Sequence, residues 1–387
     1  MITGIAWDHR RCWGPLDASS APYRAQAGEE VRWDRRSLYS FGDGDLGDFV
    51  GEYDLVIFDH PFVGDVRKHG WLLDLRPLLA EQDMALFERD AVGASWRSYA
   101  REGGIWALPV DTAAQTGAWR CDLLERHGFA LPRTIEDVVA LGERGAAKGI
   151  WVAWPSVPTD LMCTLVTVAA SMGLEPGHRD GDFLPRAQAG EVLAVLRLLA
   201  RIAHPKSREW NPIRCLNHMA AHDDVAYVPY LFNYVNYSTG DQAHPITFGV
   251  APAVLDGMPA RTILGGAGIG ISASSANPRA AFAYAMYLCS PAYQSGDYVA
   301  FGGQPGSRTA WQSEQCNQLT RGFFRNTLPV LDRAYLRPTH PGFVPFFHNA
   351  SLRLAAVIHE GAPAASFIDW LNASYDQVRQ PAIEGAR

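Results

Sequence analysis

Residues 53–59, Tyr-Asp-Leu-Val-Ile-Phe-Asp, form a nearly unbroken apolar run bounded by polar turns. A strand with no polar alternation is buried on both faces, and strands of that kind belong to sheets covered by helices on either side. The surrounding 110 residues repeat the rhythm. Ile2–Trp7 is a first short strand, 15–27 a helix, 30–35 a strand of alternating character and 64–69 a helix, while 72–79 is punctuated by Pro77. Strand and helix in alternation imply a parallel sheet with helical crossovers. Ligands of open sheets sit beyond the carboxyl ends of the strands. That logic brings together Asp8 and His9, after the first strand, and Asp59 and His60, after the apolar one.

Further along, 103–119 reads as extended and 122–128 as a helical turn ending at Gly128. Thr134 reads as the N-cap of a helix that carries Glu136 and Asp137 in its first turn. Residues 161–171 and 187–203 are apolar at helical spacing, and Pro278–Leu288 is a helix with proline in its first turn. Residues 225–237 are dense in tyrosine and asparagine; 262–272 is rich in glycine.

Composition narrows the function classes. The chain has 387 residues, enough for two or three domains, and 48% of them are hydrophobic, which excludes disorder. With 34 Lys plus Arg against 41 Asp plus Glu, it lacks the basic surface of a nucleic-acid binder. No stretch approaches the roughly 18 consecutive apolar residues of a membrane helix. Six cysteines (12, 121, 163, 215, 289 and 316) are scattered without CxxC and read as reduced thiols. Residues 1–7 already read as a strand with no secretory leader before it. The expectation is therefore a cytoplasmic protein, or a periplasmic or extracellular one if a leader has been removed.

Four stretches, in order, carry a resemblance. They are 53–61 with Gly70-Trp-Leu-Leu-Asp-Leu75; Gly104-Ile-Trp-Ala-Leu-Pro-Val-Asp-Thr112 with Trp119-Arg-Cys-Asp-Leu-Leu124 and Pro132-Arg-Thr134; Gly265-Gly-Ala-Gly-Ile-Gly-Ile-Ser272 with 274–281; and Gly302-Gly-Gln-Pro-Gly-Ser-Arg308. Over roughly the first 310 residues the chain resembles the bacterial extracellular solute-binding proteins of carbohydrate type that serve ABC transporters. The resemblance implies an α/β, two-lobed fold of periplasmic-binding-protein type II with the ligand cleft between the lobes. It implies one lobe of 1–110 plus 267–308 and a second of 111–266 plus 309–387, with crossings near 110–112, 260–266 and 305–311. It further implies a monomer that closes by hinge motion on a small polar, carbohydrate-like ligand and works with transporter membrane subunits, without nucleic acid, membrane insertion, metal or cofactor. The same architecture hosts cytosolic enzymes, so fold alone leaves an enzyme as the alternative.

The residues expected at the ligand follow from chemistry and position. Trp7 offers a stacking face and Asp8 and His9 hydrogen bonds, or Trp7 is core and the polar pair caps a turn. Asp59 and His60 are a carboxylate and an imidazole side by side before Pro61, suited to a hydroxylated ligand or to acid-base work. Asp111 and Gln115 lie at the first crossing. Trp154, more than Trp151, is an aromatic platform for a ring, or core. Tyr230, Asn233 and Tyr234 combine stacking with amide hydrogen bonds, as neutral polyols require. Gly266 permits close backbone approach; its surroundings fail the GxGxxG spacing, because 271 is Ile. Gln304 points into the cleft, and Arg308 holds an anionic group or braces the lobes. Were the protein an enzyme, His60, Asp59, Asp111, His9 and Cys12 would carry the chemistry. His218 and His222 have an i,i+4 spacing that suits zinc, yet HExxH and a distant further ligand are lacking, and the pair reads as a solvated helix face.

Overall fold

The computed structural model describes residues 1–37, 46–178, 181–240 and 242–379, so the last eight residues of the expected second lobe lie outside the described part. The strands are β1 (Ile2–Trp7), β2 (Val31–Arg36), β3 (Leu55–Phe58), β4 (Ala100–Arg101), β5 (Gly104–Ile105), β6 (Leu108–Trp119), β7 (Trp151–Val152), β8 (Val225–Phe232), β9 (Thr247–Gly249) and β10 (Leu264–Ile271). The helices that matter below are α1 (Arg10–Ala27), α2 (Ile135–Ala146), α3 (Pro158–Ser171), α4 (Arg186–Ile202), α5 (Pro212–Ala221), α6 (Pro278–Leu288), α7 (Phe343–Ala355) and α8 (Ala364–Arg379).

β4 and β5 pair with each other. The remaining strands run in the order β2-β1-β3-β10-β6-β8-β7, with β9 also on β6. β1 pairs in parallel with β2 and β3, the crossover from β1 to β2 being α1. All four residues of β3 are fully buried, as an apolar run without alternation requires. The parallel expectation stops there, because β10 is antiparallel to both β3 and β6.

β6 is the element on which the two-lobed architecture turns. Its residues 108–114 pair with β10, and 115–119 pair with β8 and β9. One strand therefore belongs to both halves of the molecule. Apolar side chains of β1, β3, α1, α6 and the start of β6 share one set of cores. Those of α2, α3, α4, α7, α8 and β8 form another, to which β9, α5 and the 310–331 helices add a third cluster.

Two helix starts show local chemistry at work. The Thr134 hydroxyl accepts a hydrogen bond from the Asp137 amide and the Asp137 carboxylate accepts one from the Thr134 amide, the reciprocal capping box. α1 begins five residues before the expected start at Pro15, because the His9 ring accepts the Arg11 amide at 3.1 Å and caps the helix. Pro15 and Pro22 both fall inside it. The early start puts Arg11 in the first turn, directly after β1.

Candidate functional site

A cavity of about 540 Å³ opens where β1, β3, β6 and β10 meet the first turns of α3 and α5 and the side of α7. Its sheet side carries Trp7 at the end of β1, Asp59 just after β3, Asp111 in β6 and Gly266 in β10. Facing them are Pro158 and Asp160 at the start of α3, Asn211 and Pro212 at the start of α5, Arg337, and His348 and Leu352 of α7. Phe232 and Tyr234 complete an apolar rim. The volume lies within the range of small-molecule sites.

Two ion pairs are built into the wall. Arg11 meets Asp111 through two nitrogens, its Nε donating to Oδ2 at 2.8 Å and its Nη2 to Oδ1. Its Nη1 donates to the Asn233 carbonyl at 2.9 Å, so every guanidinium nitrogen is committed to protein. The guanidinium also lies over the Tyr234 ring at 4.7 Å and the Trp7 ring at 5.9 Å. Burial works against the charge of Arg11, but Asp111 overrides it and holds the guanidinium above its ordinary range. Burial pushes the Asp111 carboxyl upward against the opposite pull of Arg11.

The second pair joins Arg337 Nη2 to Asp59 Oδ2 at 2.7 Å, while His60 Nδ1 lies 3.0 Å from Asp59 Oδ1. Burial opposes ionisation of Asp59, yet Arg337 and then His60 hold its carboxyl down at about 2. Burial pushes the His60 imidazole below its usual value, against the opposite pull of Asp59. Arg337 Nε is buried and has no hydrogen-bond partner among the described residues. The wall therefore carries two buried ion pairs, Arg11–Asp111 and Arg337–Asp59, in a cavity that also holds the rings of Trp7, Phe232 and Tyr234.

Of the residues singled out in the sequence, Trp7, Asp59, Asp111, Tyr234 and Gly266 line this cavity. His9 stands behind it as the α1 cap, its ring 4.8 Å from that of Tyr234. Burial and the neighbouring Arg11 lower its imidazole to about 4. His60 is buried behind Asp59. Asp8 is exposed at the end of β1.

The others serve the scaffold. Asn233 and Gln304 are locked together beside β6: Gln304 Nε2 donates to Asn233 Oδ1 at 3.0 Å and to the Thr112 carbonyl at 2.7 Å, and its Oε1 accepts the Val235 amide at 3.1 Å. Gln115 is held by Thr167 and Thr164 of α3, its Oε1 accepting from Thr167 at 2.6 Å. Trp154 and Tyr230 lie in the core of the second half, the indole donating to Thr164 and the phenol to the Pro252 carbonyl. Arg308 spans the Ala91 carbonyl and Asp332, the bracing alternative. Cys12 is buried, and burial followed by Asp111 pushes its thiol well above the ordinary value, away from a thiolate.

Sequence reasoning missed Arg11, Arg337, Asn211, Asp160 and Phe232. Arg11 had a usable signal: a cation one turn after the first strand, beside an expected cluster of carboxylates. Arg337 had none within its own stretch, since its partner Asp59 is 278 residues away.

This architecture, a cavity walled by two lobes that share a central strand, is that of a ligand-binding protein of the periplasmic type. The family description for bacterial extracellular solute-binding proteins matches residues 38–295, and the chain belongs to that family. Among solved structures it is similar to maltose-bound MalE3 of T. maritima, at 18% identity and a TM-score of 0.83, with 97% of this chain and 99% of that one covered. A solute-binding protein of an ABC transporter from Agrobacterium radiobacter K84, in complex with ribitol, matches at 17% identity and a TM-score of 0.81, covering 97% and 98%. Another from Thermotoga lettingae TMO, bound with α-D-tagatose, matches at 16% and 0.79, covering 97% and 99%.

Proposed function

We propose that this chain is the substrate-binding component of an ABC-type uptake system and that its ligand is a carbohydrate or polyol held in the cavity between the lobes. The observation that carries the reading is the wall itself. Trp7, Phe232 and Tyr234 line the same cavity as the Asp59–Arg337 pair, so C–H surface and hydroxyl groups both find partners there. The maltose, ribitol and tagatose bound by the similar structures support the same class.

Asp59 and Arg337 take the ligand's hydroxyls. Asp111 stays paired with Arg11 and shapes the floor. The lobes, 1–110 with 267–308 and 111–266 with 309–387, close about the crossings near 110–112, 260–266 and 305–311. In this reading the chain works as a monomer that hands its ligand to membrane subunits. That role calls for a protein working outside the cytosol, in keeping with the family's description.

The test is calorimetric titration of the purified chain with a panel of neutral sugars and polyols, with each ligand recovered for mass analysis. At least one is expected to bind stoichiometrically and return intact, and Trp7→Ala is expected to weaken it by about tenfold, the value of one aromatic contact. No binding across the panel, or a ligand returned chemically altered, would overturn the reading.

A further inference from the structure

α5 lines the cavity with its first residues; its other end carries a separate cluster of metal-binding side chains. His218 lies on the last turn of α5, Asp224 just before β8 and His204 just after α4. His218 Nε2 is 2.8 Å from Asp224 Oδ1, and His204 Nε2 is 3.5 Å from Asp224 Oδ2. One atom from each of the three residues lies within 4.8 Å of the others. We propose that His204, His218 and Asp224 form a binding site for a divalent transition-metal ion of the zinc class, independent of the ligand cavity.

Three features argue for it. Two imidazole nitrogens and one carboxylate form the donor set that such ions prefer, with water free to complete the shell. The ligands are held from three elements. The His204 amide donates to the Val152 carbonyl at 2.8 Å, the Trp151 amide donates to the Asp224 carbonyl at 2.7 Å, and Trp210 packs on the rings of His204 and His218 at 4.7 and 4.6 Å. Finally, among the described residues the Asp224 carboxylate has ion-pair contacts with these two imidazoles and with no lysine or arginine. The other cluster of this kind, Asp122, Asp223 and His244, differs in that last respect, since Arg120 and Arg126 already engage both of its carboxylates. His222 is exposed, with its ring 4.3 Å from that of His218, and is not one of the three residues whose ligand atoms converge.

The cost of occupancy is also visible. His204 Nδ1 accepts the Lys206 amide at 3.2 Å, which puts the ring proton on Nε2. An ion bound at Nε2 moves that proton to Nδ1 and gives up the Lys206 contact, so the turn at Pro205–Glu209 loosens as the ion enters. Sequence spacing had disclosed only the His218–His222 pair; the fold supplies His204 and Asp224.

The experiment titrates the full chain, free of any histidine tag, with Zn²⁺ by calorimetry and with Co²⁺ by visible absorption. One ion per chain is expected, with the strong ligand-field bands of low-coordinate Co²⁺. His218→Ala should abolish the bands and weaken Zn²⁺ by more than about tenfold, while His244→Ala leaves both unchanged. Should His218→Ala fail to fold, Asp224→Asn decides, because it keeps the acceptor oxygen toward His218 and removes the anionic ligand. Absence of stoichiometric binding, or equal loss in His244→Ala, overturns the proposal.

Discussion

Arg11 and Arg337 line the same cavity but use their guanidinium groups differently. Arg11 gives all its nitrogens to Asp111 and Asn233, whereas Arg337 keeps its Nε unpartnered. Asp59, between Arg337 and His60, is held from its ordinary 3.8 down to about 2, which corresponds to about 2 kcal/mol of stability at neutral pH. Its folded value lies below its unfolded one, so that contribution is present above about pH 4 and is lost as pH falls toward 2. His9 acts through its neutral form. Its folded value of about 4 lies below the ordinary 6.5, so the unfolded chain binds the extra proton and stability falls as pH drops through that window. His9→Asn keeps a cap for α1 and removes the titration. Urea unfolding at intervals between pH 6.5 and 4 should show a slope shallower by one proton than in the parent, and an unchanged slope would refute the assignment. At this scale the sequence disclosed the residues whose strands announce them: Trp7, Asp59 and Asp111 sit at the ends or middle of legible strands. It hid their partners, because Arg11 meets Asp111 across 100 residues and Arg337 meets Asp59 across 278.

Elements were legible wherever periodicity or a cap fixed them. Pro278–Leu288 and the Thr134 cap follow directly from local chemistry. The start of α1 does not, because Pro15 reads as a beginning, whereas His9 caps the helix five residues earlier. Nor did the antiparallel insertion of β10, which depends on a segment that returns from far along the chain. β10 owes its position to glycine. Gly266 has φ +112°, and a Cβ there would lie 2.4 Å from the Asp111 carbonyl oxygen and 2.7 Å from the Thr112 Cα. Both neighbours are backbone and cannot move aside. Gly266→Ala is expected to cost about 1–3 kcal/mol or more, read as a lowered midpoint in chemical denaturation. A midpoint unchanged from the parent would mean that β10 and β6 are looser than their pairing implies.

At the scale of the whole molecule, the two-lobed form was readable only through resemblance, since no composition shift or linker marks where one lobe ends. The reason is physical: each set of cores gathers side chains from separated stretches, and β6, which serves both halves, is ordinary strand, not hinge-like loop. β6 gives its first residues to one sheet half and its last to the other without interruption. Loss of either half strips that strand of its neighbours on one side and frays what the other half depends on. Two-lobed proteins often melt in steps, one lobe outliving the other. Here a single calorimetric transition is expected, with van't Hoff and calorimetric enthalpies equal; two resolved transitions would contradict it. A shared strand thus makes the molecule one cooperative unit, in which damage to either lobe is felt as lost stability in both.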